Sequence, residues 1–186
     1  LIIRYFSEKE NWVASMEEDT IKGFMRTLAH KMPLPAFNIF YSGNPNYFTL
    51  ERLKRIKGMT TQMVLPIMLD EESNKIEFLM FEKKRWAIGS DWKVYRPEAK
   101  KMILAELDSK KLNIGGKVNI DIYDEVLVKN KYFLHALILV GGLLKYWDSV
   151  NDTLMDAYKK YQKKQFALTP NKQEMELLLN PRKFVR

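Results

Sequence analysis

Apolar and polar positions along the chain follow two rhythms. Ser15 precedes Glu18 by three residues, the reciprocal capping arrangement of a helix start. Ile21, Phe24, Met25, Leu28, Ala29 and Met32 follow at helical spacing, and Pro33 and Pro35 stop the run. An amphipathic helix is therefore expected over 16–32. From Phe37 to Trp92 the period shortens to two. FNIFY, YFTLERLKRI, TTQMVLPIML, KIEFLMFE and RWAI read as strands, with SGNPN and DEESNK as turns. Pro66 inside the third of these predicts a sheet edge or a bulge at that point. The expected product is an antiparallel sheet of about four to five strands.

The helical rhythm then returns. Pro97 and Glu98 suit a first helical turn, and Ala99, Met102, Ile103, Glu106 and Leu107 predict a helix over 97–109. Asn113–Val126 reads as a glycine turn and a short alternating strand. Tyr132–Tyr146 is apolar on nearly every side, which predicts a buried helix. Asp148–Phe166 is amphipathic, with Leu154, Ala157, Tyr158 and Tyr161 inward and KKYQKK mostly outward. A short helical pattern, KQEMELLLN, follows Thr169. The fold class expected is α+β: an antiparallel sheet packed against helices, with a helical pair at the C-terminal end. Residues 1–168 are expected to form one domain and 169–186 an extension into a longer parent polypeptide.

Composition narrows the chemistry. The chain has 186 residues, 46% hydrophobic and 29% charged, which fits a globular protein. It has no cysteine, so disulfides and thiolate metal sites are excluded, and two histidines make poor material for a histidine-rich site. Tyr132–Leu144 is too short for a membrane span of about 20 residues. The net charge of +8 favours an acidic partner such as RNA. The start at Leu1, without a leader pattern, suggests a fragment of a longer protein.

Several stretches carry candidate chemistry. EKKRW offers Lys83, Lys84 and Arg85 as phosphate contacts beside Trp86 as a stacking platform; the competing reading is a solvated hairpin end with its tryptophan in the core. Trp86 and Trp92 share a face of an unbroken strand. Lys159 and Lys160 on the last helix are phosphate candidates, against a merely solvated face. Asp70 with Glu82 and Lys84 has the loose spacing of a metal-dependent nuclease, but lacks an obvious third acidic ligand. His135 fits a hydrogen-bonded core position, and Gly141-Gly142 fits close helix packing. No catalytic residue, metal site or cofactor is assigned.

The order of these elements resembles the cap-binding domain of the second basic subunit of orthomyxovirus RNA polymerases, in a thogotovirus-like branch. EEDTIKGFMRTLAHKM, FNIFY, LKRIKG, IEFLMFEKKRWAI, FLHALILVGGLLKY and NDTLMDAYKKYQKKQF carry the resemblance, over about residues 10–166. It implies a non-catalytic module of a heterotrimeric viral polymerase, present in the host nucleus and in the virion. Its implied partners are the other polymerase subunits and capped host or viral RNA, with no membrane; the fragment itself is expected to be monomeric. In such domains a methylated guanine is sandwiched between two rings by cation–π attraction. The resemblance places those rings near Met68–Leu69 and at Leu144, neither aromatic here, with Tyr146 and Trp147 a little beyond. It places the base-reading carboxylate at Glu71, Glu72 or Glu77, and the assisting lysine near Asp91, next to Lys93. Phe37 and Phe40 of the aromatic strand and Lys83–Arg85 keep the pattern. The expectation is a retained fold with weak or absent binding of an isolated cap; a structural module without RNA contact is the alternative.

Overall fold

The computed structural model describes residues 1–54, 60–70, 75–84, 90–109 and 118–165. Nine antiparallel strands lie in one sheet in strict chain order. They are β1 (Ile2–Phe6), β2 (Trp12–Glu18), β3 (Ala36–Tyr41), β4 (Tyr47–Arg52) and β5 (Gln62–Asp70). β6 (Lys75–Lys83), β7 (Ser90–Tyr95), β8 (Ile103–Ser109) and β9 (Asn119–Ile122) complete it. Helix α1 (Thr20–His30) links β2 to β3, and helix α2 (Lys131–Gln162) follows β9. The α+β class is as the sequence predicts.

Alternation explains which residues turn inward. Met16, Ile39, Leu50, Leu65, Leu79, Val94 and Leu107 form an inner row that packs on Phe133, Leu137, Val140 and Leu144 of α2. The sheet curls so far that both of its edges reach the helix. A Cβ added at Gly141 would lie 3.3 Å from Val118 Cγ1, just before β9. One added at Gly142 would lie 3.3 Å from Ile3 Cγ2 on β1. The glycine pair therefore serves close packing, but against strand edges rather than another helix.

Five expectations are corrected. The sheet has nine strands rather than about four to five, because β1, β2, β8 and β9, outside 37–92, extend it. Ser15 lies in β2, buried between β1 and β3, and the helix cap is Asp19, whose Oδ1 accepts from the Lys22 N–H at 2.9 Å. The Ser–x–x–Glu match at 15–18 is a coincidence overridden by the inward alternation of Ala14 and Met16. The buried face of α1 is Gly23, Phe24 and Thr27, so Met25 points to solvent. The helix expected at 97–109 is a short 3-10 turn, Pro97–Ala99, followed by strand β8. Ala105 and Leu107 are buried at period two, and pairing with β7 and β9 outweighs helical propensity. The two C-terminal helical blocks are one helix, since nothing at Trp147-Asp148 breaks the ladder.

Helix α2 is also, by length and composition, the one helix among the described residues able to cross a membrane. More than half of its most apolar window is buried within the fold. The turn residues 71–74 and the tail from 166 onward, including KQEMELLLN, lie outside the described residues.

Candidate functional site

Helix α2 covers the inner face of the sheet; the outer face holds the exposed chemistry. Its first feature arises from one residue. Leu53 N–H donates to Gln62 O at 2.9 Å, and the register continues as Arg52↔Met63 and Glu51↔Val64. Hydrogen-bonded pairs alternate along an antiparallel ladder, so Leu53–Gln62 and Glu51–Val64 are such pairs. The next would be Thr49–Pro66, and Pro66 has no N–H to give. The β4–β5 ladder ends there, while β5 stays paired with β6 as far as Asp70. Pro66 thus makes an edge inside the sheet: β5 is an interior strand by order, yet unpaired on its β4 side beyond Val64.

This seam opens a groove of about 750 Å³ lined by Tyr47, Thr49, Val64, Pro66, Met68 and Phe78 among others. It reaches through to Phe48 of the inner row. Tyr47, Ile76 and Phe78 around it are 48%, 56% and 53% exposed, an unusual density of large apolar side chains on an open face. Lys22 closes one end by pairing with Glu51, which Arg26 also approaches at 3.4 Å.

Beyond β6 the outer face turns polar. The Glu82 carboxylate accepts from Tyr95 Oη at 2.7 Å, Thr60 Oγ1 at 2.9 Å and Gln62 Nε2 at 3.2 Å. Lys100 and Lys93 approach it at 3.1 and 3.8 Å and lie over the Tyr95 ring. Burial acts to raise the Glu82 pKa, but the bonds from Tyr95, Thr60, Lys100 and Gln62 prevail and bring it to about 2. Burial and the Glu82 carboxylate push the Tyr95 hydroxyl up. On the next strands Asp91 faces Asp108 across the ladder. Burial and the Asp108 charge raise the Asp91 pKa against the pull of Lys84.

The structure separates most residues that the sequence grouped. Met68 is buried and also lines the outer groove, and Leu144 is buried on α2; both belong to the one hydrophobic core, and neither is a ring. Phe37 belongs to the inner row; Phe40 is half-buried and already meets Tyr47, with centroids 5.7 Å apart. Trp92 is fully buried and packs edge-on against Trp147 at 5.6 Å, so neither ring presents a stacking face. Tyr146 is exposed. Glu77 is held by Arg96 at 2.7 Å. Lys84 pairs with Glu106 at 2.7 Å and Glu82 is engaged in its own network, while the Asp70 side chain lies outside the described residues. Lys159 and Lys160 are exposed as predicted, and His135 sits against Tyr5 and Tyr41. Glu71, Glu72, Arg85 and Trp86 lie outside the described residues, as does the Leu69 side chain.

The groove and the Glu82 network were not anticipated. Two signals pointed to the first: Pro66 within a strand, and segments apolar on both faces, as VLPIM and IEFLMF are. No protein-family model, curated protein or solved structure matches this chain.

Proposed function

We propose that the chain is a non-catalytic module of a heterotrimeric viral RNA polymerase, of the cap-binding-like kind its sequence resembles. It works in the host nucleus and virion by positioning other parts of the polymerase, and it grips an isolated methylated guanine weakly or not at all. One observation supports this reading: neither Met68–Leu69 nor Leu144, where the resemblance sets its two rings, is aromatic. Sandwiching contributes roughly 2 kcal/mol or more in a desolvated site, so its loss removes most selectivity for the methylated base. Titration calorimetry of the chain with a methylated guanosine triphosphate tests it. Negligible heat at high micromolar ligand is expected, and micromolar affinity overturns the proposal.

A second reading keeps an RNA contact at the far end of α2. Lys159, Lys160, Lys163 and Lys164 are all exposed around Tyr161, itself 52% exposed. Such a surface offers phosphate contacts with a stacking ring. Crosslinking of capped RNA to the assembled polymerase distinguishes the two: adducts at Tyr146 or Tyr161 favour RNA contact, and their absence favours pure positioning. Asp70→Ala is expected to change no manganese-dependent cleavage, because none is expected from the parent chain.

A further inference from the structure

Large side chains flank short ones on the outer face, and this makes the groove a trough. Its cross-rows follow the ladder: Glu51 beside Val64, Pro66 beside Phe78, and Met68 beside Ile76. Val64 and Pro66 on the middle strand are short, whereas Tyr47 on β4 and Ile76 and Phe78 on β6 stand about half exposed on either side. The Glu51 end is polar: Lys22 of α1 pairs with Glu51, and Arg26 approaches the same carboxylate at 3.4 Å. Two cations on one carboxylate leave this end net positive, on a chain of net charge +8. Toward Ile76 no charged residue is found among the described lining.

We propose that this face docks an amphipathic α-helix of another polypeptide, with the helix's apolar stripe on Pro66, Phe78 and Ile76 and an acidic last turn at Lys22. The dimensions agree. Three strands span two inter-strand spacings, roughly 10 Å, close to the width of a helix with its side chains. From Glu51 to Tyr47 the trough runs along about 13 Å of extended chain, enough for helix positions i to i+7, which cover about 10 Å. An extended strand fits less well. β4 and β5 run antiparallel, so a strand laid between them would be parallel to one of them, and Pro66 offers it no N–H. Charge then sets the direction. The net positive Glu51 end attracts acidic side chains and the negative, C-terminal end of a helix dipole, while the uncharged Ile76 end takes the apolar stripe. This inference goes beyond the polymerase reading and does not depend on it.

A synthetic helix tests it on the full chain: an alanine-based peptide of about fifteen residues, with leucines at i, i+3, i+4 and i+7 and glutamates in its last turn. Fluorescence anisotropy should show one-to-one binding, roughly tenfold weaker when lysines replace the glutamates and when Phe78→Glu blocks the trough. Amide signals in NMR should shift at Thr49, Val64 and Phe78 and stay fixed in β7 and β8. Lys22→Gln should narrow the preference for glutamate over lysine, an effect that a merely distorted face does not give. Absent binding overturns the proposal, as does equal binding by a peptide of the same composition with its leucines scattered. So do shifts centred on the exposed lysines Lys159 to Lys164, or tighter binding of an extended peptide with leucines at every second position. A dimer in sedimentation that Phe78→Glu dissociates also overturns it, because a second copy then covers the face.

Discussion

At Gly141 and Gly142 the two edges of the sheet close on the helix; between β4 and β5 its middle opens. Glycine removes the side chains that would hold Val118 and Ile3 away, and proline removes the one N–H that would continue the ladder. Closure produces a core shared by every strand on the inner face. Opening leaves Tyr47, Ile76 and Phe78 exposed on the outer face around an apolar groove. The same strands therefore bury a continuous core on one side and leave large apolar side chains open on the other.

Strand β6 offers the sharpest way to break this contrast. Phe81 is fully buried in the inner row, and Phe78, three residues earlier, is 53% exposed. Phe81→Ala should cost about 3–5 kcal/mol in denaturant unfolding. Phe78→Ala should stay within about 1 kcal/mol. Comparable losses would mean that the two faces are not different in kind.

The clasp comes next. Gly141→Leu should destabilise by roughly 1–3 kcal/mol, because the 3.3 Å approach to Val118 leaves no room for a branched side chain. Gly141→Ala should be close to neutral in thermal unfolding, as the helix gain of about 1 kcal/mol offsets a contact that a methyl group can relieve. At the seam, Pro66→Val supplies the missing N–H. The ladder should extend to Thr49, giving a slowly exchanging amide at position 66, with a net bond worth about 1 kcal/mol partly cancelled by greater chain freedom in the unfolded state.

The outer-face charges give the smallest effects, and of opposite sign. Glu82 has its pKa lowered in the fold from 4.5 to about 2, so it adds stability above pH 4.5 that is lost as pH falls toward about 2. Glu82→Gln should flatten that acid limb in pH-dependent unfolding. Asp91 is raised, so its stability contribution is present at low pH and lost as pH rises through its folded value. Asp91→Asn should therefore stabilise the protein at pH 7 more than at pH 3; a uniform effect would place the two carboxylates in equivalent surroundings.

Strands β3 through β6 were legible from apolar and aromatic runs between turn clusters, with clean alternation of burial in β4, and Tyr132–Tyr146 because it is too apolar to lie at a surface. Local signals misled where a longer-range pairing outweighed them. The capping pair at Ser15 and Glu18 lies in a strand because β1 and β3 flank it. ILAEL has a helical stripe but sits between β7 and β9. A sequence read segment by segment cannot show that neighbouring strands wait on both sides. The candidate site was less legible for a related reason. Glu82 draws Thr60, Gln62, Tyr95, Lys93 and Lys100 from separate segments, and only the fold makes them neighbours. Pro66 was informative because its effect is local: one missing donor, one interrupted ladder.

Because the chain contains no cysteine, paired cysteine substitutions read this geometry directly. Ile3→Cys/Gly142→Cys should form an intramolecular disulfide under mild oxidation, since the sheet edge touches the helix there. Phe78→Cys/Leu144→Cys should form none, because Phe78 stands exposed on the outer face and Leu144 is buried on α2. A bridge in the second pair together with none in the first would contradict both the clasp and the separation of the two faces of the sheet.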